Sequence, residues 1–200
     1  MFSMKNLSPS ITDMIRFDHS HVTVTFHQYV TTKRASVKKA LAETICDALE
    51  IHATLEEEIF YPTLRSVDGA DPALLKAPAE HDEMRRMIAD IRAANPNDLR
   101  YDSLVHELMR DVMHHVADEE TKLLPAAERM LSADRLNELG ARMTKRRLQL
   151  IKPKAGKIAA NTAVGFSGST TAIVVGLASA MMAARLFGKK SSSHSEHKTT

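Results

Sequence analysis

The chain has no tryptophan, one cysteine, seven glycines and seven prolines in 200 residues. A single thiol, Cys46, cannot form a disulfide within the chain, which excludes a disulfide-stapled scaffold and is compatible with a reducing compartment. Aromatic residues make up 4% of the composition, too few for a sheet protein that fills its strands with aromatic and β-branched side chains. What is abundant is Ala, Leu, Met, Glu, Lys and Arg, which are strong helix formers, with few breakers between them. The chain therefore reads as all-α. Met1 to Ser10 lacks the apolar run of a secretory signal, so the bundle is expected in the cytoplasm.

The formal net charge of +2 hides an asymmetry. Residues 1–140 carry 16 Lys and Arg against 24 Asp and Glu, a balance of −8, whereas residues 141–200 carry 11 against one, a balance of +10. An acidic head and a basic tail imply different neighbours for each. No recognition motif accompanies the basic charge, so nucleic acid is not an expected partner. The oligomeric state is not encoded in any pattern of this kind.

Helix signals divide the chain. Ser8-Pro9-Ser10 reads as a helix start, with Ser10 as N-cap and Asp13 in place of the usual Glu. The first helix carries Ile15, His19, Val22, Phe26 and Val30 on one face and runs to about Thr32. The second, from about Ser36 to Ser66, has the inward series Ile45, Leu49, His52, Glu56, Ile59, with the alternating spacing of a bundle seam. The turn cluster at 67–72 separates it from a third helix that begins around Pro72 or Ala73 and reads Leu74, Ala77, His81, Met84, Ile88 and Ile91, with a start of its regular part delayed by Pro78 to about Ala79 as the alternative. Asn95-Pro-Asn-Asp98 breaks the chain again. The fourth helix reads Leu108, Val112, His115, Glu119, then Lys122 or Leu123. Short loops favour antiparallel neighbours, an up-down-up-down four-helix bundle. The expected organisation is a bundle over 10–131, a short amphipathic helix over 132–152, an apolar segment over 153–188 and a disordered, low-complexity tail over 189–200.

A repeat runs through this pattern. His52-Ala-Thr-Leu-Glu56-Glu57 is followed by Pro62, and 63 residues after His52 the same spacing returns as His115-Val-Ala-Asp-Glu119-Glu120 with Pro125. Each copy has an acid-His pair upstream: Asp18-His19, 33 residues before His52, and Glu80-His81, 34 residues before His115. In all four helices a His therefore occupies a seam position, and in two of them a Glu takes the next one. Burying six polar groups at one level of a core costs several kcal/mol each unless something binds them. A pair of cations would.

Residues four apart on a helix share a face, so His52 with Glu56, and His115 with Glu119, can address one site together. Glu57 and Glu120 point about 140° away from their own histidines and are the weaker ligand candidates. His19 and His81 add one imidazole each. Four imidazoles and two carboxylates suit two mid-row divalent ions, iron first, with zinc and manganese as alternatives. Six donors do not saturate two such ions, which leaves positions for a small exogenous ligand such as O₂, NO or peroxide. Asp18, Glu80 and Tyr61 are candidates for holding the histidines from behind. His21, His27, His106 and His114 lie off the seam and read as surface or partly buried side chains. Met84, Met87, Met109 and Met113 read as core filler, with Met84 and Val112 placed to shape a small pocket.

The acid-His pair followed by H-x-x-x-E-E and a Pro, repeated once over about residues 12–131, resembles the hemerythrin-like HHE cation-binding domain. The resemblance implies a four-helix bundle around a non-haem di-iron centre, with His19, His52, Glu56, His81, His115 and Glu119 as the metal ligands. It departs from the oxygen-carrying hemerythrins at two points. Arg85 stands where they carry a further His, and Glu119 stands four residues after its His where they carry an Asp at five. This favours the broader HHE group, linked to iron handling, stress response, O₂ or NO sensing and peroxide chemistry, over reversible O₂ carriage. A binding protein for a small ligand is the leading expectation. An enzyme turning over peroxide or NO at the same metals, and a membrane-tethered interaction protein with a structural metal, are the alternatives.

From Ile158 to Ala184 no residue is charged, and the stretch is long enough to span a bilayer. Ala172-x-x-x-Gly176-x-x-x-Ala180 would let helices approach closely there, and Lys152, Lys154, Lys157, Arg185, Lys189 and Lys190 flank it with basic charge. Membrane contact through this segment is the leading expectation, as an anchor or a membrane-lying helix; an Ala/Gly helix that packs on a partner or on itself, or a mostly disordered tail, is the alternative.

Overall fold

Ser10 ends an extended entry and begins the first helix, its Oγ accepting the Asp13 backbone N–H at 3.1 Å. Helix α1 spans Ile11–Thr31, and after a short turn α2 spans Ala35–Leu55, passes through a π-helical turn at Glu56–Phe60 and continues as α3, Tyr61–Arg65. Helix α4 covers Pro72–Ala93 and α5 covers Leu99–Asp118, which passes through a second π turn at Glu119–Leu123 into α6, Leu124–Met130. Helix α7, Ala133–Ile151, is capped by Ser132, and a 3₁₀ turn at Lys152–Lys154 leads into α8, Ala155–Gly165. This computed structural model describes residues 9–167. Contacts divide the chain into a unit Met1–Gly165 and a second unit Phe166–Thr200. The apolar core of the expected membrane segment and the tail at 189–200 lie outside the described residues.

The fold is all-α, a helical bundle followed by the additional helices α7 and α8. Helix α4 begins at Pro72, the expected start, and Pro78 does not delay it to Ala79. Asp71 caps it by accepting the Ala73 N–H at 2.8 Å, and Ala73, Leu74 and Ala77 are buried. Cap and burial together hold the first turns in spite of the hydrogen bond that Pro78 lacks.

The two π turns begin at the two seam glutamates. In each, the N–H five residues on returns to the glutamate carbonyl, Tyr61 to Glu56 and Leu124 to Glu119. Pro62 and Pro125 follow at the start of α3 and α6, where a missing N–H is best tolerated. The extra residue in each turn advances the seam, so Leu123 is buried and Lys122 stays exposed.

Below the histidines lies an apolar cluster that includes Ile11, Ile15, Leu55, Phe60, Tyr61, Leu64, Leu74, Leu124, Leu139 and Met143. Met84 and Met87 are core, as their periodicity indicates, but Met113 is 41% exposed. Cys46 is buried, and burial pushes its thiol up to about 12, which leaves it unreactive. Where α8 lies against α2, the nearly inaccessible Asp47 meets Lys157 of α8 at 3.1 Å, Lys154 of the 3₁₀ turn at 3.3 Å and Arg92 of α4 at 3.0 Å. Among the described residues no helix is long and apolar enough to cross a membrane.

Candidate metal centre

Six polar side chains from four helical segments meet inside the bundle. His19, His52, His81, His115, Glu56 and Glu119 are each 0–5% exposed. The four imidazoles turn Nε2 inward. His52 Nε2 and His81 Nε2 lie 3.1 and 3.4 Å from Glu56 Oε2, while His19 Nε2 and His115 Nε2 lie 3.1 and 3.5 Å from Glu119 Oε2. His81 Nε2 and His115 Nε2 are 3.1 Å apart. Two donor groups result, His19, His52, Glu56 and Glu119, and Glu56, His81 and His115, with the donor atoms of each group within 4.8 Å of one another. Glu56 belongs to both.

Every one of these imidazoles is held from behind by a carboxylate. His52 Nδ1 faces Asp18 at 3.4 Å and His115 Nδ1 faces Glu80 at 2.9 Å. His19 Nδ1 faces Glu120 at 2.8 Å and His81 Nδ1 faces Glu57 at 2.9 Å. An ionised carboxylate only accepts, so each Nδ1 carries the proton and Nε2 is directed at the centre. The two glutamates five places after their own histidines thus serve the histidines of the opposite repeat. Reckoned along their own helices they point away from the seam, and their role becomes visible only when α1 and α4 are placed beside them. The repeated spacing was the one available signal.

Each outer carboxylate in turn meets a cation. Arg147 grips Asp18 with two bonds of 2.5 Å, Arg16 Nε meets Glu120 at 3.3 Å, Arg85 meets Glu57 at 2.7 Å and Lys76 meets Glu80 at 2.8 Å. Arg85, which stands where oxygen carriers place a further His, therefore points outward and braces Glu57. Tyr61 reaches the centre itself, its hydroxyl 2.8 Å from Glu119 Oε1 and 3.1 Å from Glu56 Oε2. The equivalent place in the second repeat is Leu124, so this group has no counterpart.

The charges confirm how tightly the groups are matched. Burial alone would push His52 down, but Glu56 and Asp18 outweigh it and hold the imidazole well above 6.5. For His115 burial is likewise outweighed, by Glu119 and Glu80, and the result is again upward. Burial would raise Glu56, yet His52 and His81 hold it well below the ordinary carboxylate range. The His115 hydrogen bond leads in bringing Glu80 down to about 2. Burial and the two glutamates drive Tyr61 upward, which keeps its hydroxyl protonated.

On the other side of the histidines a cavity of about 10 Å³ is lined by Val22, Leu49, Met84 and Val112. Each of these stands three residues from the site histidine of its own helix, so one turn of each helix closes the space with an apolar side chain. Met84 and Val112 are where the pocket reading placed them. His27, His106 and His114 are exposed and His21 is half-buried. None of the four belongs to either donor group.

Residues 10–127 match the family model of the hemerythrin HHE cation-binding domain. A DNA nickase of Nostoc sp. (strain PCC 7120 / SAG 25.82 / UTEX 2576) is 30% identical over 129 residues, 64% of this chain and 36% of that protein. The chain thus spans about a third of the length of that relative. A crystal structure of a hemerythrin HHE cation-binding domain-containing protein from Mycobacterium kansasii superposes with a TM-score of 0.66 at 18% identity, covering 76% of this chain and 93% of that one. At that identity the likeness speaks for the fold.

Proposed function

The chain belongs to the family of hemerythrin HHE cation-binding domains, and from that premise we propose that it holds two iron ions and offers them to a small ligand, O₂, NO or peroxide, for sensing, iron handling or stress response. The residues that would hold the ions are His19, His52, Glu56, His81, His115 and Glu119. The observation that carries this reading is the donor set: four Nε2 atoms aimed at two buried carboxylates. Glu56 Oε1 is buried among them without a hydrogen-bond partner. An unpaired carboxylate oxygen at such a place is costly, and a cation there would satisfy it. Imidazole with carboxylate suits iron, with zinc and manganese as the alternatives. Glu56, common to both donor groups, would help to hold either ion.

When bound, the ions supply open coordination positions and redox capacity. The rest is the chain's own work. The outer carboxylates fix the imidazole tautomers and orientation. Val22, Leu49, Met84 and Val112 set apolar side chains around the small space beside the histidines, and it is the open coordination positions that suit a ligand of a few atoms. Tyr61 presents a protonated hydroxyl to both glutamates.

Anaerobic addition of ferrous iron followed by metal analysis tests the reading. Two iron ions per chain are expected, with His52→Ala and Glu119→Ala each holding fewer at retained helicity. A chain that takes up no iron, or two variants that both keep the full complement, overturns it. Spectra after addition of O₂, NO or peroxide then divide binding from turnover. A stable adduct marks a binding protein, and continuous loss of the added molecule over many cycles marks an enzyme.

A further inference from the structure

Helix α7 lies past the end of the family match, yet one of its side chains stands behind a site histidine. Its seating on α1 is close. A β-carbon at Gly140 would overlap the Pro9 carbonyl oxygen and crowd the Ile11 backbone, so only glycine permits this approach. One turn on, Thr144 Oγ1 lies 3.3 Å from Met14 Sδ. Two turns on, Arg147 closes on Asp18 with both guanidinium arms. Residue numbers rise together on both helices, which sets α7 parallel to α1. The contact at Gly140 sets the register that delivers Arg147.

Arg147 differs from the other three bracing cations. Arg16 belongs to α1, and Lys76 and Arg85 belong to α4, helices that themselves carry site histidines. Arg147 comes from outside those helices, and its side chain is 19% exposed against 35%, 47% and 36% for the others. Asp18 Oδ2 is shared between Arg147 Nη2 at 2.5 Å and His52 Nδ1 at 3.4 Å. Arg146 adds an exposed pair with Glu58, but it is at the Asp18 carboxylate that a contact seating α7 and the contact orienting His52 meet. Beyond α7 the chain runs into α8, whose Lys157, with Lys154 just before it, pairs with the acidic row Glu43, Asp47 and Glu50 on α2.

We propose that α7 is a coupling element of the metal centre, with Arg147 as a positioning residue that acts on His52 through Asp18. Iron held by His52 and the docking of α7 stabilise one another, so the chain that follows α7 is attached to a helix that senses occupancy. This rests on the metal-centre reading given above. Linkage makes the effect reciprocal: whatever α7 docking adds to iron affinity, iron adds to α7 docking.

The test uses the full chain, metal-free and iron-loaded, as wild type, Arg147→Met, Arg147→Lys and Arg85→Met. Hydrogen exchange over residues 133–151 should slow at least about fivefold on iron loading of the wild type, the lower end of ordinary coupling. In Arg147→Met that slowing should vanish, and iron loss to a ferrous chelator should quicken about tenfold, the lower end for loss of a group supporting a metal ligand. One of two iron signals in the Mössbauer spectrum should shift. Arg147→Lys should recover part of each change. Arg85→Met, which acts on His81 through Glu57, should shift the other signal and leave the iron effect on 133–151 intact. Iron-independent exchange of 133–151 in the wild type, or unchanged iron signals and release in Arg147→Met, overturns the coupling. If Arg147→Met does not fold, the wild-type exchange comparison decides alone. A wild type that binds no iron overturns the metal reading and this inference with it, whereas two ions bound without the exchange effect overturns the inference only.

Discussion

In the first half of the bundle the acid ahead of the α1 histidine, Asp18, is held by an arginine from α7. In the second half the acid ahead of the α4 histidine, Glu80, is held by Lys76, four residues back on its own helix. Otherwise the halves match closely. The acid next to one histidine backs the other histidine of the same half, and the second glutamate of each H-x-x-x-E-E backs a histidine of the opposite half. The comparison teaches that the motif is used in full, each acidic position having its own partner. It also shows where the halves diverge: in the outer cations, and at Tyr61 against Leu124.

The largest expected effect tests the outer cations. Asp18→Asn leaves Arg147 largely buried without its counter-charge, and breaking such a pair costs about 3 kcal/mol. Both substitutions also weaken the bond to a buried histidine, but on the cation side Glu80→Gln leaves Lys76 half in solvent and still paired with Asp118, a further loss of about 1 kcal/mol or less. Urea unfolding of the metal-free variants should show this inequality, and equal losses would erase the distinction between the halves.

A smaller effect concerns the centre itself. Tyr61→Phe removes the hydroxyl that donates between two buried carboxylates, a loss of about 2 kcal/mol in the metal-free protein. At the matching place Leu124→Ile, a swap of equal volume, should cost under about 1.5 kcal/mol. Thermal melts at one pH compare the pair, and a Tyr61→Phe variant as stable as the wild type would show that the hydroxyl contributes nothing there.

The smallest effect should be shared by both halves. His52 and His115 are raised above 6.5, so the stability they bring to the metal-free protein is complete below that pH and is lost as pH rises through their folded values. Glu56 and Glu80 are lowered, so their contribution is present above about 4.5 and is lost as pH falls through their folded values. Metal-free protein should be most stable between these limits. Iron must displace the imidazole protons, so its affinity should rise with pH over the interval in which metal-free stability declines. Melting curves from about pH 2 to 9, with and without iron, follow both trends. Parallel slopes in the two forms would contradict the exchange of protons for metal.

Local sequence was sufficient for the helices, because capping residues, breakers and the seam spacing act within a few residues of one another. The Ser10 and Ser132 starts and the breaks around 67–72 and 95–98 are of this kind. It was also sufficient to put six polar side chains on the seam, since a repeat of charged residues at apolar positions is visible without a fold. Tertiary structure alone decided what lies behind them. Glu57 and Glu120 point away from their own helix faces and find partners only across the bundle. Arg147 meets Asp18 from 129 residues away because Gly140 lets α7 close on α1. The π turns, too, arise where a seam glutamate must stay inward while the helix beyond it continues to bury Leu123 and Phe60. Periodicity along one helix reports which face is buried; which groups meet across that face depends on how the helices are set against one another.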